Sequence, residues 1–85
     1  MFFFSNLQAQ EINKSQALSV IFKNIQDRFN YQFNYAEDTV ADITIVPPKG
    51  ALSFEKTLDY LEKKTGLSFV VMNDNLVLVK VKEGL

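Results

Sequence analysis

Apolar positions in this chain recur with two different periods, and the changes of period mark out its elements. Ala17, Leu18, Ile21, Phe22, Ile25 and Phe29 fall on one face at helical spacing and predict a helix over Gln16 to Phe29. Lys23, Gln26 and Asp27 occupy the opposite, wet face. Ser15 is the expected N-cap, because its hydroxyl can accept from an exposed amide of the first turn. Asn30 is the expected left-handed stop. A thin pattern over Gln10 to Lys14 allows a short strand ahead of this helix.

After Asn30 the period drops to two. Tyr31, Phe33 and Tyr35 alternate with Gln32 and Asn34, which reads as a strand. The acidic stretch from Ala36 to Asp42 reads as a linker, and Ile43 to Val46 as a short β-branched strand. Pro47-Pro48-Lys49-Gly50 ends it, since proline cannot donate to a ladder. A second helix is expected after Ser53, its N-cap, with Phe54, Leu58 and Leu61 as the buried stripe and Gly66 as its left-handed end. Leu67 to Met72 and Leu76 to Lys82 read as strands joined by a turn at Asn73-Asp74-Asn75. On the last strand Val77, Val79 and Val81 share one face, and Lys80 and Lys82 lie on the other.

The two halves repeat at an offset of 36 positions. It relates Leu18 to Phe54, Phe22 to Leu58, Ile25 to Leu61, Asn30 to Gly66, Tyr31 to Leu67 and Phe33 to Phe69. Helix stripe, helix stop and following strand therefore recur in one register. The expected fold is α+β, a strand-helix-strand unit used twice with an extra strand in the second copy. Neither unit hides its apolar helix face alone, so the two must pack together.

Composition narrows the chemistry. The 85 residues are 47% hydrophobic and 22% charged, the balance of one small globular domain. Cysteine and histidine are both absent, which removes disulfides, Cys/His zinc sites, thiol nucleophiles and histidine-based triads. A net charge of −1 gives no electrostatic footprint for nucleic acid. No stretch of about 18 apolar residues is present. Residues 1–10, MFFFSNLQAQ, read as a signal-peptide remnant or a disordered tail. The run Met1 to Phe4 is short and lacks a basic start, but Leu7-Gln8-Ala9 resembles a cleavage site.

The helix and strand ALxxIFxxIxxxFNYQFNY, followed by LSFEKTLDYLEKKTGLSFVVMNDNLVLVK, resembles the short N-terminal domain of secretins and TonB-dependent receptors, the STN domain. The most specific stretch is Leu52 to Val79, with its apolar-x-x-x-Leu-x-x-Leu helix, Thr65-Gly66-Leu67 and a closing aliphatic hairpin. The likeness runs from Glu11 to Val81 and rests on order and spacing, not on any chemically diagnostic residue. It implies a domain over residues 11–82, with 83–85 beginning a linker, and two helices held between two small sheets. It also implies a periplasmic location, at the front of an outer-membrane receptor of Bacteroidetes type. The implied work is contact with a FecR-like anti-sigma regulator anchored in the inner membrane, which then releases a sigma factor. The implied partner is thus a protein, the isolated domain a monomer, and the outer membrane is reached only through a longer chain. Receptors of this kind carry a full leader, a plug and a barrel, which these 85 residues do not include. A segment of a secretin or of a FecR-like protein has the same resemblance.

Chemistry finds little to work with. The serines (Ser5, Ser15, Ser19, Ser53, Ser68) have no histidine or cysteine partner. Glu37, Asp38 and Asp42 cluster in one segment but read as a solvated loop, not as an acid–base pair. No oxygen-rich loop with a glycine bend offers a calcium site. Arg28, the one arginine, falls on a helix and not in a phosphate-cradling loop. A small nucleotide- or RNA-binding strand-helix-strand protein is a further alternative. It lacks a Gly-x-x-Gly loop, and Tyr31, Phe33 and Tyr35 have no basic neighbours clustered around them. The expectation is a non-enzymatic interaction module with no catalytic, cofactor or metal residues. Its means of recognition is β-augmentation at a sheet edge, either Ile43 to Val46 or Leu76 to Lys82, with Lys80 and Lys82 as alternative gatekeepers against pairing.

Overall fold

The computed structural model describes residues 14–72 and 75–82. In chain order the elements are β1 (Gln16–Ala17), α1 (Leu18–Phe29), β2 (Gln32–Asn34), α2 (Glu37–Val40), β3 (Thr44–Ile45), α3 (Phe54–Thr65), β4 (Leu67–Met72) and β5 (Leu76–Val81). The fold is α+β with two small sheets. β1 and β3 form an antiparallel pair, with Gln16 opposite Ile45. The other sheet has the order β2-β5-β4. There β2 runs parallel to β5, and β4 and β5 form an antiparallel hairpin.

The repeat is present in three dimensions. α1 and α3 each span 12 residues, and their first residues, Leu18 and Phe54, are the positions matched in sequence. Each helix ends on a left-handed residue, Asn30 at φ 60° and Gly66 at φ 75°. In both, the backbone N–H of that residue donates to the carbonyl four positions back, Gln26 O or Glu62 O, at 2.9 Å. One further contact is duplicated. Gln26 Oε1 accepts the Phe33 N–H at 2.9 Å, and Glu62 Oε2 accepts the Phe69 N–H at 3.2 Å. In each copy the strand before the helix joins the small sheet and the strand after it joins the larger one. The two strands of a unit therefore never share a sheet.

One core gathers the apolar faces of both copies. α1 contributes Leu18, Ile21, Phe22 and Ile25, and α3 contributes Leu58 and Leu61. Phe33, Leu67, Phe69, Val77 and Val79 enter from the larger sheet, and Ile45 from the smaller. Phe22 lies at the centre. It stacks on Phe33 with ring centroids 4.5 Å apart and meets Tyr35 and Phe69 edge-on. Each such side chain contributes about 1.5–3 kcal/mol by burial, and the aromatic pairs somewhat more.

Several expectations need correction. Ser15 caps no helix, because Gln16 and Ala17 are strand and α1 starts at Leu18. The N-cap position is Ala17, with no side-chain cap. The Leu18 N–H is instead satisfied by the Ile43 carbonyl at 3.0 Å, a tertiary substitute for a capping side chain. The strand expected over Gln10 to Lys14 lies outside the described residues except for Lys14, which is irregular. The stretch Ala36 to Asp42 is not wholly linker. Glu37–Val40 form a helical turn whose two leading carboxylates complement its N-terminus, and Val40 is buried in the core. Ser53 does cap α3, its Oγ accepting the Lys56 N–H at 3.2 Å. Of the turn between β4 and β5, Asn73 and Asp74 lie outside the described residues, and Asn75 has φ 66°.

Candidate interaction surface

The acidic and hydroxyl side chains do not converge. Glu37 and Asp38 open the short α2 helix and are exposed, as is Asp42 beyond it. Ser53 is occupied as a cap, and Ser15 and Ser19 are exposed. Among the described residues no group of three or more Asp, Glu, His or Cys side chains is placed to hold a metal ion. Arg28 turns back to donate to the Gly50 carbonyl, tying α1 to the loop after Pro47-Pro48. Tyr60 Oη donates to the Val46 carbonyl at 2.6 Å and ties α3 to the same loop. Shallow hollows of about 390 and 440 Å³ flank Pro47 and Pro48. Arg28 lines the first, with Asn24 and Asp27, and Tyr60 the second, with Lys49; Arg28 and Tyr60 are engaged in holding the loop.

The aromatic alternation Tyr31, Phe33, Tyr35 belongs to the core. Phe33 is buried, Tyr31 stacks on Phe54 with centroids 4.0 Å apart, and Tyr35 lies against Phe22 at 5.0 Å. No helix among the described residues is long and apolar enough to cross a membrane.

Strand order decides where another chain can add. Leu76 to Lys82 is one expected edge, and the structure overturns it over Leu76 to Leu78. β5 is the central strand, with β4 on one side along its whole length and β2 on the other at Leu76 to Leu78. Beyond Leu78 no described strand lies on the β2 side, so Val79 to Val81 keep one open side and Lys80 sits beside it, as a gatekeeper would. The other expected edge, Ile43 to Val46, is reduced to the two residues of β3, with Pro47 and Pro48 following closely. So short an edge, next to two residues that cannot donate, offers little pairing.

The long open edge is β4. Six consecutive residue pairs, from Leu67·Val81 to Met72·Leu76, bind it to β5, and among the described residues no strand lies on its other side. Its sequence LSFVVM has no charge and no proline, and its register has no bulge. Edges are usually protected by one of these. Leu67 and Phe69 face the core, whereas Ser68, Val70 and Met72 face outward. Val70, Val71 and Met72 are 38%, 49% and 46% exposed. Val71 shares the inward face with Phe69 yet is half in water, so the helices do not cover that end of the strand. The last three residues of β4 thus present apolar side chains on both faces next to an open edge.

The outward face of the sheet is graded along the strands. At the hairpin end Met72 pairs with Leu76 and Val70 with Leu78, an apolar group bordered by Gln32 and Asn34 of β2. At the other end Ser68 pairs with Lys80, and Lys82 follows two residues on. This edge is not among those expected from the sequence, because strand order is set by the whole chain and not by any one strand. The signal that was present is the absence of any charge from Leu67 to Met72.

Searches with the chain find no matching family model, no matching curated protein and no matching solved structure.

Proposed function

We propose that this chain is a non-catalytic protein-recognition domain that takes up a strand of its partner along β4. The observation that carries this reading is the six-residue uncharged edge, apolar and exposed at Val70, Val71 and Met72. Such an edge offers main-chain hydrogen bonds for affinity and side-chain rows on each face for selectivity. The duplicated strand-helix-strand order supports the resemblance to the STN domain. On that reading the domain works in the periplasm at the front of a TonB-dependent outer-membrane receptor. It reports ligand capture to the periplasmic part of a FecR-like regulator.

The test is a titration of the purified chain against the periplasmic domain of a FecR-like regulator from the same genome, alongside the Val70→Lys variant. Saturable binding that the variant weakens by tenfold or more is the expected result. A folded regulator domain that fails to bind overturns the receptor reading. Binding indifferent to the substitution moves the contact away from β4.

A further inference from the structure

We infer that the strand taken up by β4 has a defined chemistry: it runs antiparallel to β4, starts with alternating apolar residues and ends with alternating acidic ones. This rests on the proposal that β4 is the recognition edge, and it goes further by specifying the partner's sequence pattern.

The direction follows from the ladder. Antiparallel pairing is the more stable arrangement per residue, and β4 already pairs that way with β5. Because β4 runs from its Ser68 end toward Met72, an antiparallel guest begins at the hairpin and finishes near Gly66. Side chains directly opposite one another share a face of the sheet. Two guest residues two positions apart therefore stand beside Met72 and Val70, extending the apolar group that includes Leu76 and Leu78. Apolar side chains there remove both themselves and the exposed side chains of β4 from water.

The next outward position of the guest stands beside Ser68, whose cross-strand partner is Lys80. Guest and β5 are then two strand spacings apart, about 10 Å. The small Ser68 side chain lies between them, so the long Lys80 stem can reach over it to a carboxylate. One step further the guest passes Gly66, which has no side chain to intervene, on the side of Lys82. Among the described residues the outward face of this sheet has Lys80 and no acidic residue. A basic residue in these guest positions meets only like charge. The resulting pattern is apolar-x-apolar-x-acidic-x-acidic, read from the guest's N-terminus.

The pattern is tested by titrating the ¹⁵N-labelled 85-residue chain with an end-capped peptide, Val-Thr-Val-Thr-Glu-Thr-Glu, and with its counterpart carrying lysine for both glutamates. The expected result is amide shift changes along Leu67 to Met72, with the acidic peptide at least ~5-fold tighter at low salt. This preference shrinks as salt screens exposed pairs. Lys80→Glu, a surface change monitored for folding by its denaturation midpoint, is expected to cancel or invert the preference. Equal binding of both peptides, shift changes confined to other strands, or a preference untouched by Lys80→Glu would overturn the inference. Absence of binding by the acidic peptide at millimolar concentration would overturn it as well. The outcome is separable from the receptor reading. A regulator domain that binds while the peptides show no charge preference removes this inference alone. Peptides that obey the pattern while the regulator fails to bind remove only the receptor reading.

Discussion

Gln26 and Glu62 occupy equivalent places in the two repeats and do the same work, each accepting the backbone N–H of a phenylalanine seven residues further on. The distances are 2.9 Å to Phe33 and 3.2 Å to Phe69. Each bond fastens the last turn of a helix to the strand that follows, and so fixes how far the strand's phenylalanine reaches into the core. Removing the acceptor leaves a part-buried donor without its partner, at a cost of about 1–3 kcal/mol. Gln26→Ala and Glu62→Ala should each lower the urea midpoint accordingly. Glu62→Gln keeps an acceptor oxygen and should lose less than half as much. Equal losses for the Gln and Ala variants at position 62 would show that the hydrogen bond is not what matters.

Core truncation should separate buried from exposed positions on one helix. Phe22, at the centre of the aromatic cluster, and Leu61, fully buried, should lose on the order of 2–5 kcal/mol when changed to alanine. Leu58→Ala falls in the same range. Val20→Ala, on the same helix as Phe22 but 49% exposed, should stay within about 0.5 kcal/mol. In a domain this small the first three variants approach global unfolding. Chemical denaturation followed by far-UV circular dichroism gives the ranking directly.

The two serines that precede the long helices should behave differently. Ser53→Ala removes the acceptor for the Lys56 N–H and should cost about 0.5–2 kcal/mol. Ser15→Ala should be silent, because the first amide of α1 is held by the Ile43 carbonyl. Thermal midpoints of the two variants decide between this assignment and a conventional cap at Ser15.

At the helix ends, Gly66→Ala places a Cβ on a residue at φ 75° and should cost about 1 kcal/mol, although nothing crowds the site. Asn30→Gly, at φ 60°, should be neutral or mildly stabilising, since glycine tolerates that conformation without a steric penalty. Midpoints that fall for Asn30→Gly and hold for Gly66→Ala would reverse this account of the caps.

The uncharged β4 edge should also make the isolated chain prone to association. Val71→Lys adds a charge beside the open edge at a position already half in water. Light scattering against concentration should show less self-association for this variant, with its denaturation midpoint nearly unchanged.

Much of the fold was legible in the sequence because it is locally encoded. The stripes Leu18 to Ile25 and Phe54 to Leu61, the stops at Asn30 and Gly66, and the cap at Ser53 all follow from residue spacing and backbone preference. What escaped is set by partners distant in sequence. β1 exists because Gln16 meets Ile45, and the Ile43 carbonyl replaces a cap that Ser15 seemed to offer. α2 is one turn long, too short for a periodic signal, and Val40 is the core residue that anchors it. Strand order is likewise a property of the whole chain. Nothing within Leu76 to Val81 shows that β2 will lie beside its first half, and that neighbour closes the expected edge at Leu76 to Leu78. The candidate surface moved to β4 for the same reason.

The parallel pairing of β2 with β5 also bears on how the protein is made. Phe33 of the first repeat finds its strand partner in Val77, and the Gln32 N–H donates to the Asn75 carbonyl at 2.8 Å. The first repeat can form its helix as it leaves the ribosome, but β2 has no ladder until β5, a whole repeat further on, is synthesised. Contacts this far apart in sequence close slowly. Synthesis halted before Leu76 therefore leaves the larger sheet unformed and the apolar faces of both repeats open to proteolysis and clumping.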